Sequence, residues 1–244
     1  MKLHLVSGLP RSGRNLLATV LGQNPSFHTA IQTPLCELVY RQFSLWVDRD
    51  KMHQEDFLMK EIKDMQYSVL TNKKIIFDVR HSWHNRYNIW MLKLIYNEPP
   101  KVICCIRNME EIAASLTKLH AANGKMWEET LLENNNGLID SYNELFKTKS
   151  TSFAPSLHIV KYDDLVNDHD NTMQKIYKFI EQPYFKTNIH KIKRNKAYDK
   201  AEQLHGLQGL HNIKKGLVKS DTKPEEILSK IQIKYWKKMN WWNR

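Results

Sequence analysis

The 244-residue sequence has few cysteines, few glycines and no long hydrophobic run. No apolar stretch approaches the ~18 residues that a membrane helix needs, and the first residues form a strand-like pattern without the hydrophobic region of a signal peptide. We therefore expect a soluble, cytoplasmic protein that does not bind a membrane. Cys36, Cys104 and Cys105 are odd in number, and the last two are adjacent, so their side chains would point to opposite faces of a strand. This pattern predicts reduced thiols.

Acidic residues are scarce relative to basic ones. The chain has 37 Lys and Arg against 26 Asp and Glu, a formal net charge of +11. About +10 of this charge lies from residue 185 onward, where fifteen basic residues face five acidic ones. An anionic partner is expected for this segment, with a solvated lysine-rich surface as the alternative. The hydrophobic fraction of 41% excludes a disordered chain, and the length favours one α/β domain over residues 1–244.

Strand patterns alternate with helical ones along the chain. Buried strands are predicted at 3–7, 74–79, 101–106 and 157–160, and helical periodicity follows each of them, for example at 85–96 and 171–180. Such alternation requires crossover connections, which build a central parallel sheet flanked by helices. Ligands of these sheets lie beyond the carboxyl ends of the strands. Functional residues are therefore expected directly after each strand.

The longer intervals also carry predictions. Residues 34–70 and 124–147 are predicted to be helical, and 224–242 an amphipathic helix that buries one apolar set: Ile227, Leu228, Ile231 and Tyr235. Residues 186–223 have weak periodicity and three glycines, which indicates a mobile basic loop over the site.

The turn after the first strand has the spacing of a phosphate-binding loop. Gly8 and Gly13 enclose four residues, a pattern in which backbone N–H groups and a helix N-terminus converge on an anion. A nucleoside triphosphatase would continue with Lys and Ser/Thr, whereas this chain has Arg14 and Asn15. An asparagine side chain is a poor substitute for the hydroxyl that binds Mg²⁺. We therefore expect the loop to hold a nucleotide phosphate without metal-assisted triphosphate chemistry. An ordinary glycine turn is the alternative.

The core of this loop, Pro10-Arg11-Ser12-Gly13, resembles that of the sulfotransferase family, which commonly reads G-x-P-R-S-G-[TS]-[TS]. The resemblance implies a P-loop-containing α/β fold and a loop that holds the 5′-phosphosulfate of 3′-phosphoadenosine 5′-phosphosulfate (PAPS). It assigns this contact to six residues: Pro10, Arg11, Ser12, Gly13, Arg14 and Asn15. The last two depart from the hydroxyl residues of the family pattern.

A second motif follows the strand at 101–106. Arg107 ends the strand and Ser115 stands eight residues later, as in the family pattern R-[DN]-P-x₅-S, although Met109 replaces the proline. The resemblance implies that this pair holds the 3′-phosphate of the donor. A guanidinium fork and a hydroxyl suit a dianionic phosphate. Two anion sites at the ends of two strands point to one nucleotide with two phosphate groups.

Three weaker resemblances complete the comparison with the family. The sequence 161–165 is similar to [RK]-Y-E-D-L, with its acids assigned to helix capping. The sequence 205–215 resembles a late glycine-containing loop, which implies that Lys214 and Lys215 also serve the 3′-phosphate. The sequence 75–83 resembles a strand ending in D-K-x-R-x-W, and here Arg80 is the candidate to replace a missing cation.

Sulfuryl transfer needs in-line geometry, a cation on the leaving oxygen and a base for the acceptor proton, and no metal is required. Arg11 is the first candidate for the cation, with Arg80 as a second. His81 is the preferred base because its ordinary pKa near 6.5 suits proton transfer at neutral pH. Glu37 is its competitor, since other branches of the family use a glutamate in a comparable place. Asp78 and His84 are less favoured.

Three other interpretations stay open. The first is a P-loop nucleoside or metabolite kinase, and the second is a nucleic-acid-binding protein that uses the basic last quarter. The third is a metal site formed by Asp78, His81 and His84, although no further ligand cluster accompanies them and we expect no metal. The resemblance implies a hydroxyl-bearing small molecule or glycan, or an amine, as acceptor.

Overall fold

Five parallel strands form the central sheet of the computed structural model, which describes residues 2–31, 33–47, 71–126, 137–192, 207–209 and 222–243. The strands run in the order β2-β3-β1-β4-β5 across the sheet. Their bounds are Lys2–Gly8 (β1), Phe27–Ile31 (β2), Ile75–Val79 (β3), Val102–Ile106 (β4) and Leu157–Lys161 (β5).

Helices follow the strands, as the alternating pattern predicted. Their bounds are Arg14–Leu21 (α1), Leu35–Val47 (α2), Arg86–Tyr96 (α3), Met109–Ala122 (α4), Gly137–Lys149 (α5), Tyr162–Asn167 (α6), His169–Phe179 (α7), Pro224–Ile227 (α8) and Lys230–Lys237 (α9). Short 3₁₀ turns lie at Ala154–Ser156 and Trp241–Asn243. None of the described helices combines the length and the apolar character needed to cross a membrane.

The core lies on both faces of the sheet. Helices α1 and α7 cover one face, where they pack against β-strand side chains such as Val6, Phe77 and Cys105. Helices α2 and α3 cover the other face beside β1 and β3, and α4 and α5 cover it beside β4. Cys104 and Cys105 therefore point to opposite faces, as predicted, and all three cysteines are free and buried.

The four predicted strands are confirmed, but β2 was missed. This strand lies at the edge of the sheet and pairs with β3 alone. Its centre, His28-Thr29, is only partly buried, so its sequence shows neither strict alternation nor a continuous apolar run. An edge strand of this kind leaves a weak signal.

The prediction for the C-terminal segment was wrong in phase. The chain leaves the helical conformation at Leu228, and a new helix, α9, begins after Ser229, which caps it. The break rotates the apolar set: Leu228 and Trp236 are buried, whereas Ile231 and Tyr235 are 82% and 58% exposed and Ile227 is also exposed. The helix predicted over 124–147 likewise begins only at Gly137 in the described part of that range, and residues 127–136 and 48–70 lie outside the described residues.

Candidate functional site

The carboxyl edge of the sheet gathers the predicted site residues. The loop of Gly8 to Gly13 follows β1, Arg80 and His81 follow β3, and Arg107 follows β4. In parallel sheets this edge is where ligands bind, because the loops and helix N-termini meet there. The fold therefore places this loop, Arg80, His81 and Arg107 at one edge of the sheet.

Backbone conformation shapes the loop between β1 and α1. Gly8 adopts a φ of 142°, and a Cβ there would lie 2.3 Å from the Cys105 carbonyl oxygen of β4, so no side chain fits. Arg11 and Gly13 also have positive φ angles, 59° and 91°. Gly13 is the N-cap of α1 and has no side chain, so the loop leaves the amino end of that helix open. This geometry suits an anion.

Hydrogen bonds inside the loop hold it in this shape. The Ser12 hydroxyl donates to the Leu9 carbonyl oxygen at 2.6 Å, and the Ser12 amide donates to the same oxygen at 3.3 Å. The Leu9 amide in turn donates to the Cys105 carbonyl at 3.0 Å. Ser12 thus stabilises the loop with both polar groups, whereas Pro10 and Arg11 lie partly exposed on it.

One contact joins the two predicted anion sites. Arg11 Nε donates a hydrogen bond of 3.1 Å to the Ser115 hydroxyl, and Ser115 lies in the second turn of α4. The residues are 104 positions apart in the chain. The loop after β1 and the helix after β4 therefore present their polar side chains to the same place.

Arg107 is held on two sides. Its side chain is 5% exposed, and its Nε lies 2.7 Å from Glu111 Oε2 one turn along α4. Its guanidinium carbon lies 4.6 Å from the centroid of the Tyr162 ring. Tyr162 also packs against the loop, because a Cβ on Gly13 would lie 2.7 Å from its Cδ2. The Tyr162 ring therefore lies between the loop and Arg107.

The sequence prediction missed Tyr162 and Glu111 as parts of this arrangement. Tyr162 belongs to the motif at 161–165, of which only the acidic residues were given a role. The structure shows that the aromatic ring of Tyr162 contacts the site. Glu111 stands four residues after Arg107, a spacing at which opposite charges pair on a helix, although Arg107 itself precedes α4. That spacing was the available signal for Glu111.

On the other side of the rim, Glu37 and Arg80 form an ion pair. Glu37 lies in the first turn of α2, and Arg80 directly follows β3. Both side chains are partly exposed, at 46% and 24%. His81 is exposed next to them, and its carbonyl oxygen lies 2.9 Å from the Ser7 hydroxyl oxygen.

Asp78 and His84 are buried and bonded to the scaffold. Asp78 accepts hydrogen bonds from the Thr33 hydroxyl and from Trp83 Nε1, the latter at 2.8 Å. His84 lies 2.8 Å from the Ser141 carbonyl oxygen through Nε2 and 2.8 Å from the Ser7 hydroxyl through Nδ1. A carbonyl oxygen only accepts, so Nε2 carries the proton.

Burial lowers the pKa of His84 to about 4; the Ser141 hydrogen bond opposes this shift, and the charge of Arg14 adds to it. The imidazole is neutral at pH 7, and both of its nitrogens are engaged. His81, the predicted base, is exposed, whereas Asp78 and His84 are buried; the role of His81 stays a prediction. Hydrogen bonds also engage the Asp78 and His84 atoms that a metal would need, and no metal-binding group of three His, Cys, Asp or Glu residues occurs in the described ranges.

A sequence-family model described as the sulfotransferase family matches residues 5–186. The chain belongs to the sulfotransferase family. Solved structures agree on the fold. The sulfotransferase domain of the Synechococcus PCC 7002 olefin synthase is 16% identical with a TM-score of 0.56, and the match covers 95% of this chain and 92% of that one. No curated protein sequence gives a significant match.

Two further structures show the same fold at low identity. The sulfotransferase domain from the curacin biosynthetic pathway is 14% identical with a TM-score of 0.54, over 80% of this chain and 78% of that one. A mouse sulfotransferase complexed with PAP is also 14% identical, with a TM-score of 0.50, over 97% of this chain and 82% of that one. The predicted α/β fold with a parallel sheet and the predicted family are thus confirmed.

This sulfotransferase departs from its family pattern after Gly13. Arg14 and Asn15 open α1, and the Asn15 carbonyl accepts a hydrogen bond from the Thr19 hydroxyl at 2.9 Å. The charge of Arg14 acts on Cys105 in β4. Burial raises the pKa of Cys105 to about 12, and the positive charge of Arg14 opposes that rise. Arg14 therefore lies close enough to the sheet edge to influence buried groups there.

The late loop is described only in part. Lys214 and Lys215, the predicted basic pair of this loop, lie outside the described residues. Gln208, six residues earlier in the chain, is bonded to the end of α4. Its amide donates to Asn123 Oδ1 at 2.9 Å, and its carbonyl oxygen accepts from Asn123 Nδ2 at 3.2 Å. The late loop thus contacts the helix that carries Ser115.

Proposed function

We propose that this sulfotransferase moves the sulfuryl group from PAPS to a hydroxyl or amine of a small-molecule or glycan acceptor, without a metal and within one domain spanning residues 1–244. The observation that carries the proposal is the hydrogen bond between Arg11 and Ser115, with Arg107 on the same rim. This contact supports the proposal because it joins the loop proposed to hold the 5′-phosphate to the helix whose Ser115 is proposed to hold the 3′-phosphate. Gly8 of β1 is in register with Cys105 of β4. The mouse relative complexed with PAP supports this choice of donor.

The residues present fit a nucleotide with two separate anionic groups. The loop turns through the positive φ angles of Arg11 and Gly13, and a side chain at Gly13 would strike Tyr162. Arg107 is tethered through Nε to Glu111, so its two Nη groups form the fork that would meet a phosphate. Ser115 would add a hydroxyl donor.

The chemistry of the reaction divides among the chain's own residues. The donor supplies a sulfuryl group bonded to a phosphate that leaves as the new bond to the acceptor oxygen forms. Arg11 and the loop amides would stabilise the charge that grows on the leaving phosphate oxygen. Arg80 would assist from the end of β3, where Glu37 holds its guanidinium.

We propose His81 as the base that takes the acceptor proton. It is exposed at the end of β3, and the competitor Glu37 forms an ion pair with Arg80. An imidazole has the basicity to accept a proton at neutral pH. Glu37 then serves to orient Arg80.

Lys214 and Lys215 are proposed to approach the 3′-phosphate from the basic loop at 186–223. The support for this placement is that Gln208, six residues before Lys214, is hydrogen-bonded to Asn123 at the C-terminal end of α4, the helix that carries Ser115. Two ammonium groups would add charge without a fixed direction, since lysine binds phosphate as a point charge.

Calorimetric titration with 3′-phosphoadenosine 5′-phosphate (PAP), in the absence of metal, tests the proposal. 5′-AMP tests the need for the 3′-phosphate, and ATP with Mg²⁺ tests the rival kinase function. Metal-independent binding of PAP that is at least tenfold tighter than that of 5′-AMP is the expected result. Equal affinities, or binding of ATP with Mg²⁺ alone, would contradict the donor assignment and favour a kinase.

A further inference from the structure

The first turn of α4 is completed by a side chain from the far end of the chain. Met109 is the first helical residue, and its amide has no acceptor within the helix. Asn240 Oδ1 accepts a hydrogen bond from this amide at 2.8 Å. The N-cap residue, Asn108, makes no capping hydrogen bond through its own side chain. Because Met109 is fully buried, loss of Asn240 would leave the amide without a partner.

Asn240 bridges two groups of the same turn. Its Nδ2 donates to Glu110 Oε2 at 2.7 Å, and both side chains are buried. These two partners fix the orientation of the Asn240 side-chain amide. The Met109 N–H requires the Oδ1 acceptor, and the Glu110 carboxylate requires the Nδ2 donor. Trp236 and Leu228 hold this segment in place by packing in the same apolar cluster as Met109.

A second side chain continues the connection toward β5. Asn243 Nδ2 donates to Asn108 Oδ1 at 2.9 Å, and Lys161 Nζ donates to Asn243 Oδ1 at 3.3 Å. Asn108 follows β4 and Lys161 ends β5. The C-terminal segment 240–243 therefore ties together the ends of the two strands that are followed by Arg107 and Tyr162.

We propose that Asn240 is a positioning residue for the donor's 3′-phosphate, an inference that rests on the proposed function. Arg107 lies two residues before the capped amide, and Ser115 lies six residues after it on the same helix. If the first turn of α4 shifts, both residues move relative to the loop after β1. A misplacement of about 1 Å can cost up to ~10²-fold in such sites. Asn240 acts through α4, so its effect falls on the 3′-phosphate and spares the rest of the nucleotide.

The test compares the affinity for PAP with that for 5′-AMP by calorimetry, below the unfolding temperature of each variant. Asn240→Ala is expected to weaken PAP binding about tenfold and to leave 5′-AMP binding within about twofold of the wild type. Asn85→Ala is the matched control. Asn85 caps α3, where its Oδ1 accepts from the Tyr87 amide at 2.9 Å. Both variants lose a helix cap and should lower Tm by several degrees, but Asn85→Ala should leave the affinity ratio unchanged.

An unchanged ratio in Asn240→Ala would overturn the proposal and leave Asn240 a purely structural cap. A wild-type protein with no preference for PAP over 5′-AMP would instead overturn the proposed function. Asn243→Ala is the second test variant, and it should fold normally because the Asn243 side chain is exposed. It should reduce the ratio about threefold, and if Asn240→Ala does not fold, an unchanged ratio in Asn243→Ala refutes the proposal.

Discussion

The two sides of the sheet edge differ in how their polar side chains are held. Beside β1 and β4, Arg107 is buried, paired with Glu111 and covered by Tyr162, and Arg11 reaches across to Ser115. Beside β3, Glu37 and Arg80 pair with each other while partly exposed, and His81 is exposed. The first side is held by buried or partly buried contacts, and the second by a partly exposed ion pair and an exposed imidazole near solvent.

This difference corresponds to two tasks in the proposed reaction. A preorganised site binds a donor nucleotide that is the same in every turnover at the lowest cost in ordering. The groups that handle the acceptor and its proton need access to a second substrate and to solvent. We therefore expect substitutions beside β1 and β4 to change stability and donor affinity, and substitutions beside β3 to change kcat with little effect on either.

The largest effect is expected from Gly8→Ala, which adds a side chain at the end of β1 on the preorganised side of the site. The new Cβ would lie 2.3 Å from a backbone oxygen of β4, which cannot move without breaking the sheet. We expect loss of folded protein, measured as loss of a cooperative thermal transition. Gly124→Ala is the control, because it also replaces a glycine at positive φ but meets no atom within 4 Å. A Tm for Gly8→Ala equal to that of this control would contradict the account.

Next in size is the effect of His81→Gln on the exposed side. If His81 is the base, kcat should fall by about 10²-fold or more once an acceptor is found, because general base catalysis contributes about 10²–10⁴-fold. Affinity for PAP should stay within about twofold. Glu37→Gln is the comparison variant, and a larger loss of kcat in Glu37→Gln than in His81→Gln would transfer the role of base to Glu37.

Ser115→Ala tests the junction of the two anion sites. Loss of the hydroxyl removes one donor to a charged phosphate, which is worth about 1.5 kcal/mol or roughly tenfold in Kd for PAP. The control is Thr117→Val, which removes a hydroxyl without a hydrogen-bond partner in the described structure from the same helix. Equal Kd values for Ser115→Ala and the wild type would show that Ser115 does not contact the phosphate.

The smallest effect is expected from Tyr162. Replacement by leucine removes the ring that covers Arg107 and packs on the loop, and should weaken PAP binding about threefold to fivefold, as expected for a cation–π contact. Tyr162→Phe keeps the ring and should bind PAP like the wild type. If the phenylalanine variant were as weak as the leucine variant, the hydroxyl and not the ring face would carry the effect.

Local pattern predicted the parts of this protein that depend on neighbours in sequence. The buried runs of β1 and β4, the glycine-flanked loop and the spacing of Arg107 and Ser115 were all readable before the structure was known. The roles of Tyr162 and Asn240 depend on contacts across large sequence distances, such as the 131 residues between Met109 and Asn240. The phase of the C-terminal helix was misjudged because a single extended residue, Leu228, divides it.

The contrast between the two sides rests on one central claim, that Arg107 holds the 3′-phosphate of the donor. The most direct measurement is the affinity ratio of PAP to 5′-AMP in the wild type and in Arg107→Ala, with Lys118→Ala, an exposed cation of α4, as control. We expect the preference for PAP to be lost in Arg107→Ala, a fall of about 30-fold or more, and to be kept in Lys118→Ala. An equal ratio in the wild type and in Arg107→Ala would contradict the claim.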